Sequence, residues 1–328
     1  MSGEQPVPGA ADDAAAGAAG PPACRIARFG RVVADIERAE RFLAAAFGFT
    51  TISRAAGDSG FAELVGVPGA MTRRTHMRLG DQEIALTAFD PPGRPYPTGS
   101  TSSDLWFQHL AVVVADVDAA HARVREAGRV MPITEGGPIR LPCASGGVRA
   151  FKFRDGDGHP LELVEFHPES TPAAWRRQDR SGGFLGIDHT ALAVTDTRRS
   201  IDFFRSSFGL MPAMQTENIG AEQSRLDAVG GARVIVSRLN PAEEIPHLEL
   251  LGYETGRRRP IRMAASNDIA ATYVVLQTPD LTQTTRALAA SSARFISPGI
   301  CTMADSTRAV MILDPDGHRF IAEERKWP

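Results

Sequence analysis

The sequence is poor in cysteine and lysine, has no long apolar runs and carries little net charge. Its three cysteines, Cys24, Cys143 and Cys301, lie far apart and in no CxxC motif, which excludes a disulfide framework and predicts isolated thiols in a reducing cytoplasm. No apolar run reaches the roughly 18 residues that a membrane-spanning helix needs. A formal net charge of −3 gives no electrostatic case for binding nucleic acid or an anionic membrane. What remains is a soluble globular chain, 43% hydrophobic.

The first 23 residues differ in composition from the rest. They are rich in Ala, Gly and Pro and lack the basic start and Leu-rich core of a secretory signal. Such a segment cannot form a core, so residues 1–23 are predicted to be a disordered cytoplasmic tail. The chain of 328 residues is otherwise long enough for two domains.

One octet pattern occurs four times. Each copy is an apolar, β-branched run that ends in Asp, which predicts a strand followed by the N-cap of a helix. The copies are "RFGRVVAD" (28–35), "HLAVVVAD" (109–116), "HTALAVTD" (189–196) and "YVVLQTPD" (273–280). Only the two middle copies begin with His.

Short alternating runs follow each predicted helix, so the repeating unit is βαβββ and the fold class is α+β. The four modules span about 24–90, 105–167, 184–254 and 269–325. The first two modules match the last two at an offset of about 160 residues. The predicted domains are therefore 24–167 and 184–325, joined by a polar linker at 168–183.

These features resemble the vicinal oxygen chelate superfamily, which contains glyoxalase I, extradiol dioxygenases and the fosfomycin and bleomycin resistance proteins. The resemblance rests on the His-to-Asp strand, the hairpins "DGDGH" (155–159) and "DPDGH" (314–318) and the fourfold βαβββ unit. It implies that two modules pair into a cupped, partly open β-barrel with helices outside. It also implies metal ligands from the first strand (His) and the last strand (Glu) of the modules around the cup.

At those family positions the modules are unequal. Module two offers His109 and Glu162, and module three offers His189 and Glu249. Modules one and four instead carry, at the four equivalent positions, Arg28, Ala85, Tyr273 and Ile321.

Two pairings of the modules are open. If each half closes its own cup, each cup holds one His and one Glu, too few to bind a divalent ion tightly. If module two pairs with three and one with four, as the resemblance to four-module glyoxalases implies, one cup holds all four ligands. We expect the second pairing, of module two with three and one with four, because one complete site and one lost site is a simpler arrangement than two half-complete sites.

Other residues are candidates for binding the substrate. Asn218 and Gln223 are expected to line the cup of module three, and Arg28 is expected either to bind an anionic substrate or to fill the lost cup. His159 and His318, in the repeated hairpins, are expected to be structural. His247 lies on the face of Glu249 and is expected to support it.

Two imidazoles and two carboxylates on a six-coordinate ion leave two cis positions for a chelating substrate. The hypothesis is a metal-dependent isomerase, epimerase or lyase that acts on a small metabolite, with Glu162 or Glu249 as general base. By analogy with the family and from the composition, the expected setting is secondary metabolism. The metal is open among Ni, Co, Mn, Fe, Zn and Mg, and the chain is expected to be a monomer or homodimer. Two alternatives are a metal-free ligand-binding protein of the bleomycin-resistance type and an extradiol-type dioxygenase.

Overall fold

The computed structural model describes residues 22–177, 182–260 and 265–325. Almost all of the predicted tail and residues 178–181 of the predicted linker lie outside the described residues. The strands are Arg25–Val32 (β1), Thr50–Ala56 (β2), Met71–Leu79 (β3), Gln82–Asp90 (β4), Gln108–Val114 (β5), Met131–Pro132 (β6), Ile139–Arg140 (β7), Arg149–Arg154 (β8), Pro160–Glu165 (β9), Phe184–Ala193 (β10), Met211–Ile219 (β11), Arg233–Asn240 (β12), His247–Tyr253 (β13), Tyr273–Thr278 (β14), Arg294–Phe295 (β15), Cys301–Thr302 (β16), Arg308–Leu313 (β17) and Arg319–Glu324 (β18). The helices are Ile36–Phe47 (α1), Ser59–Leu64 (α2), Val117–Ala127 (α3), Ala173–Arg176 (α4), Thr197–Phe208 (α5), Ala221–Asp227 (α6) and Leu281–Ala289 (α7).

The aspartate that ends each octet caps the helix after it, as predicted. In all four modules its carboxylate accepts a hydrogen bond from a backbone N–H in the first turn of α1, α3, α5 or α7. Helices α1 and α5 end at Gly48 and Gly209, whose positive φ angles of 83° and 66° suit glycine. None of the helices in the described ranges is long and apolar enough to cross a bilayer.

The strands of the described residues form two nine-stranded sheets. One has the order β15-β17-β18-β14-β1-β4-β3-β2, with β16 beside β17, and is built from modules four and one. The other has the order β11-β12-β13-β10-β5-β9-β8-β6, with β7 beside β8, and is built from modules three and two. The α+β class is therefore confirmed, and so is the pairing of module two with three.

The two sheets share the same internal plan. First strands meet antiparallel at the centre, β1 with β14 and β5 with β10. Each first strand then runs parallel to the last strand of its own module, as β5 does to β9 and β10 to β13. The four positions at which the family carries ligands therefore come together at the centre of each sheet.

Helices and hairpins hold the two sheets together. Helix α1 contacts α3, and α5 contacts α7, so the helices of one half pack on each other although their strands lie in different sheets. The ring Nε2–H of His159 donates to Val32 O of the other sheet at 2.8 Å, and that of His318 donates to Ala193 O at 2.8 Å. Both histidines are buried, and their hydrogen bonds tie each hairpin to the other sheet.

Candidate metal centre

The central strands of the second sheet bring the four predicted ligands into one cavity. In the β5–β10 ladder His109 lies opposite Ala191 and His189 opposite Ala111, so the two imidazoles occupy neighbouring positions. The parallel partners of those alanines are Glu162 on β9 and Glu249 on β13. All four side chains line a cavity of about 840 Å³.

Three of the four side chains bring ligand atoms close enough to share one ion, and Glu249 lies beside them. Nε2 of His109 lies 2.8 Å from Oε2 of Glu162, and Nε2 of His189 lies 3.8 Å from that oxygen and 3.4 Å from Oε2 of Glu249. One ligand atom from each of His109, Glu162 and His189 falls within a 4.8 Å group. Sequence reasoning expected these four residues to meet, and the strands bring them together.

The donor set fits a divalent cation. The Nε2 atoms of His109 and His189 are buried and make no regular hydrogen bond among the described residues, although each has Oε2 of Glu162 nearby, at 2.8 Å and 3.8 Å. Buried polar atoms without a partner are costly, and a cation at the meeting point would satisfy both nitrogens. Imidazole nitrogens combined with carboxylates suit the transition metals and Zn²⁺.

His189 is oriented from behind by a residue that sequence reasoning missed. Its Nδ1 donates to Oδ2 of Asp188 at 2.9 Å, and Nε1 of Trp175 donates to Oδ1 of the same carboxylate at 2.6 Å. A carboxylate bound to the far ring nitrogen of a metal-binding histidine sets its tautomer and direction. Here it directs the Nε2 lone pair of His189 into the cavity.

His247 completes the buried group. Its Nε2 lies 3.4 Å from Oε1 of Glu249 and 3.9 Å from Oδ2 of Asp188, and its ring centroid lies 5.2 Å from that of His189. Asp188, His189 and His247 form a second group with metal-binding spacing. His247 therefore adjoins Glu249, as its position two residues earlier on β13 suggested.

The electrostatics of the cavity favour a cation. Burial lowers the pKa of His109, with a further contribution from Lys152, so that this imidazole is neutral and keeps its lone pair. Burial opposes ionisation of Glu249, but His189 and His247 outweigh it and lower the pKa of Glu249 to about 2. Burial likewise opposes the charge on His189, yet Glu249 and Asp188 raise its pKa to about 10. In the absence of metal, a proton on His189 balances the carboxylates.

The three predicted substrate-binding residues fall in different places. Asn218 and Gln223 line the cavity of the four ligands. Arg28 does not: it lies on β1 in the other sheet, where its guanidinium pairs with Glu323.

The equivalent space in the other sheet is filled. Buried apolar side chains from both of its modules pack there, among them Phe61, Tyr273, Met311 and Ile321. The Tyr273 hydroxyl lies 3.1 Å from Oγ1 of Thr87. Of the ligand positions of modules one and four, Tyr273 and Ile321 have thus become core, whereas Arg28 is ion-paired with Glu323.

A family model decides the affiliation. The model described as "Glyoxalase/Bleomycin resistance protein/Dioxygenase superfamily" matches residues 25–163 and again 186–321. The chain belongs to this superfamily. The two matches follow the two repeated halves of the sequence.

Solved structures of similar fold include a glyoxalase I and a putative dioxygenase. Glyoxalase I from Zea mays is 14% identical, with a TM-score of 0.62 over 92% of each chain. A putative dioxygenase from Bacillus subtilis subsp. subtilis str. 168 is 13% identical, with a TM-score of 0.56 over 93% of this chain and 86% of that one. At this identity the likeness shows the fold alone. No curated protein sequence matches this chain.

Proposed function

We propose that this superfamily member is a metal-dependent enzyme that transfers a proton next to vicinal oxygens of a small metabolite, as an isomerase, epimerase or lyase does. The observation that carries the proposal is the pair of buried, unpartnered Nε2 atoms, on His109 and His189, beside the carboxylates of Glu162 and Glu249. Those four side chains would hold one divalent ion among Ni, Co, Mn, Fe, Zn and Mg. When bound, such an ion polarises the oxygens of a chelating ligand and makes a neighbouring C–H more acidic.

The side chains around the site supply the proton transfer. Glu249 is the better placed of the two candidate bases, because its side chain is 18% exposed to the cavity against 8% for Glu162. His247, 3.4 Å away, is positioned to stabilise the proton that Glu249 accepts. The strand order β13-β10-β5-β9 holds the two carboxylates on opposite sides of the imidazoles.

Metal content tests the shared site. We expect one divalent ion per chain after loading and desalting, and loss of that ion in both His109→Ala and Glu249→Ala, measured by inductively coupled plasma mass spectrometry. The matched control is Glu323→Gln, which alters a buried last-strand glutamate of the other sheet and leaves the ion bound. Absence of metal from the wild type would overturn the proposal in favour of a metal-independent ligand-binding protein.

Deuterium exchange tests the chemistry. The loaded protein in D₂O is expected to exchange the C–H hydrogens of hydroxyacetone, dihydroxyacetone or glyceraldehyde faster than free metal does, and Glu249→Gln is expected to abolish this rate, followed by proton NMR. A metal-loaded protein that exchanges none of these compounds but consumes oxygen with catechol would identify a dioxygenase instead.

A further inference from the structure

The cavity contains a second polar group, built around the buried carboxylate of Asp227 at the end of α6. Oδ1 accepts a hydrogen bond from Nζ of Lys152 at 2.7 Å. Oδ2 accepts from Nε2 of Gln223 at 2.6 Å and from the Tyr253 hydroxyl at 2.8 Å. Lys152, Gln223 and Tyr253 line the cavity, whereas Asp227 is 1% exposed and lies behind them.

This group leaves hydrogen-bonding capacity unused. The ammonium of Lys152 has three N–H donors, and in the described structure Asp227 is its hydrogen-bond acceptor. Oε1 of Gln223 is buried and has no hydrogen-bond partner among the described residues. The residue as a whole is only 3% exposed. A buried amide oxygen without a donor is costly unless a ligand or water supplies one. A donor at Lys152 and an acceptor at Gln223 are therefore available side by side.

Hydrogen bonds fix these residues in place. The backbone N–H of Lys152 donates to Oγ1 of Thr134 at 2.7 Å, and that hydroxyl donates to Leu226 O near the end of α6 at 3.1 Å. The Ser102 hydroxyl donates to Asp227 O at 2.8 Å. Helix α6 is thus tied to β8 and, through Ser102, to the segment that precedes β5. The polar group is therefore organised before any ligand binds.

The charges select the kind of ligand. Lys152 and Asp227 neutralise each other, so the group offers no net positive charge to a carboxylate or phosphate. The free oxygen of Gln223 repels an anion and requires a donor from the ligand. A neutral group that carries an acceptor next to an N–H or O–H donor satisfies both positions. The lining of the same cavity also includes the apolar side chains of Val234, Val236 and Leu251.

We propose that Lys152 and Gln223 form a recognition subsite for a neutral amide-type group, a carbonyl oxygen beside an N–H or O–H, on a substrate with an apolar body. The assignment of the substrate's other end to the four candidate ligands rests on the proposed function; the subsite itself does not. Lys152 lies directly opposite Glu162 in the β8–β9 ladder. Directly opposite residues of paired strands have Cβ atoms about 5 Å apart, so the subsite adjoins the four candidate ligands and the substrate bridges a short distance.

Fluorine NMR on the metal-free full-length chain tests the subsite with three probes of one shape. They are 4-fluorophenylacetamide, 4-fluorophenylacetate and 1-ethyl-4-fluorobenzene, which differ only in the neutral, anionic or absent polar group. We expect the amide to bind more tightly than the other two. Gln223→Met, which leaves the Lys152–Asp227 pair intact, is expected to weaken amide binding about five-fold or more. Cys143→Ser, an exposed position that lines the same cavity, is the control and leaves amide binding unchanged.

Each outcome decides the question. Tighter binding of the carboxylate would overturn the neutral class. An amide affinity equal to that of 1-ethyl-4-fluorobenzene would overturn the subsite. An amide affinity unchanged in Gln223→Met would also overturn it. Because this experiment contains no metal, its failure is separate from failure of the metal-content test, which addresses the proposed function alone.

Discussion

At the scale of single residues, the candidate ligands could be predicted and the residues that support them could not. His109, Glu162, His189 and Glu249 stand at repeated positions of a repeated unit, so comparing the modules revealed them. Asp188 was missed because strand alternation puts it on the opposite face from His189. The ladder of β10 with β5 has an irregularity between Ile187 and His189, and this bulge lets Asp188 reach its neighbour's ring.

Asp188 should control metal affinity. Asp188→Asn keeps the shape of the side chain but removes the charge that holds Nδ1–H of His189. We therefore expect the metal to bind 10- to 100-fold more weakly, which is the usual effect of removing the hydrogen-bond partner of a metal-binding histidine. Trp175→Phe, which removes one donor to that carboxylate, should have a smaller effect in the same direction. Competition with a fluorescent chelator measures both. Wild-type affinity in Asp188→Asn would show that His189 needs no orientation.

At the scale of elements, periodicity located the long strands and the four capped helices but not the short segments between them. Helices α2 and α6, which the βαβββ unit does not include, are only six and seven residues long, too short for a periodic pattern to mark them. The second module of each half has a strand of only two residues, β6 or β15. At the same place modules one and three have the longer strands β2, of seven residues, and β11, of nine. Packing against the rest of the sheet, which no local pattern encodes, decides such lengths.

Because of the hairpin histidine His159, we expect the folded state to lose stability in acid. Burial, with a contribution from the charge of Arg31, lowers its pKa from 6.5 to about 3, so the folded protein resists a proton that the unfolded chain accepts. The stability contribution is therefore complete above pH 6.5 and is lost as the pH falls toward 3, by about 1.4 kcal/mol per pH unit. Urea unfolding at pH 7, 5 and 4 measures this loss.

His159→Gln is the matched variant, because its side-chain amide keeps a donor for Val32 O but does not titrate. It should be less stable than the wild type at pH 7 and lose less stability on acidification. An equal pH dependence in both proteins would assign the effect to other groups.

At the scale of the whole molecule, the two halves are exchanged rather than adjacent. Each sheet takes one module from each half, and the connectors cross in the same way. Arg94 of the first half forms an ion pair with Asp268 of the second at 2.7 Å, and Arg259 of the second pairs with Asp104 of the first at 2.6 Å. The repeat in the sequence revealed the equivalence of the halves, and the distribution of ligands indicated the exchange.

Splitting the chain should divide the metal site. Polypeptides 1–177 and 182–328 each supply one His and one Glu, so neither alone should bind the ion with the affinity of the full chain. Mixing them should restore binding, followed by isothermal titration calorimetry with metal. A first half that carries His109→Ala is the control and should not restore it. Full affinity in either half alone would contradict the shared site.

The exchanged arrangement also determines how the site responds to dilution. Ligands contributed by two separate chains would come apart as the protein concentration fell below their dissociation constant. Here one polypeptide carries both halves, so the effective concentration of one half around the other is set by the chain and does not fall on dilution. Assembly of the cavity is therefore a folding equilibrium within one molecule, and the chain keeps both halves of its candidate site together at any abundance.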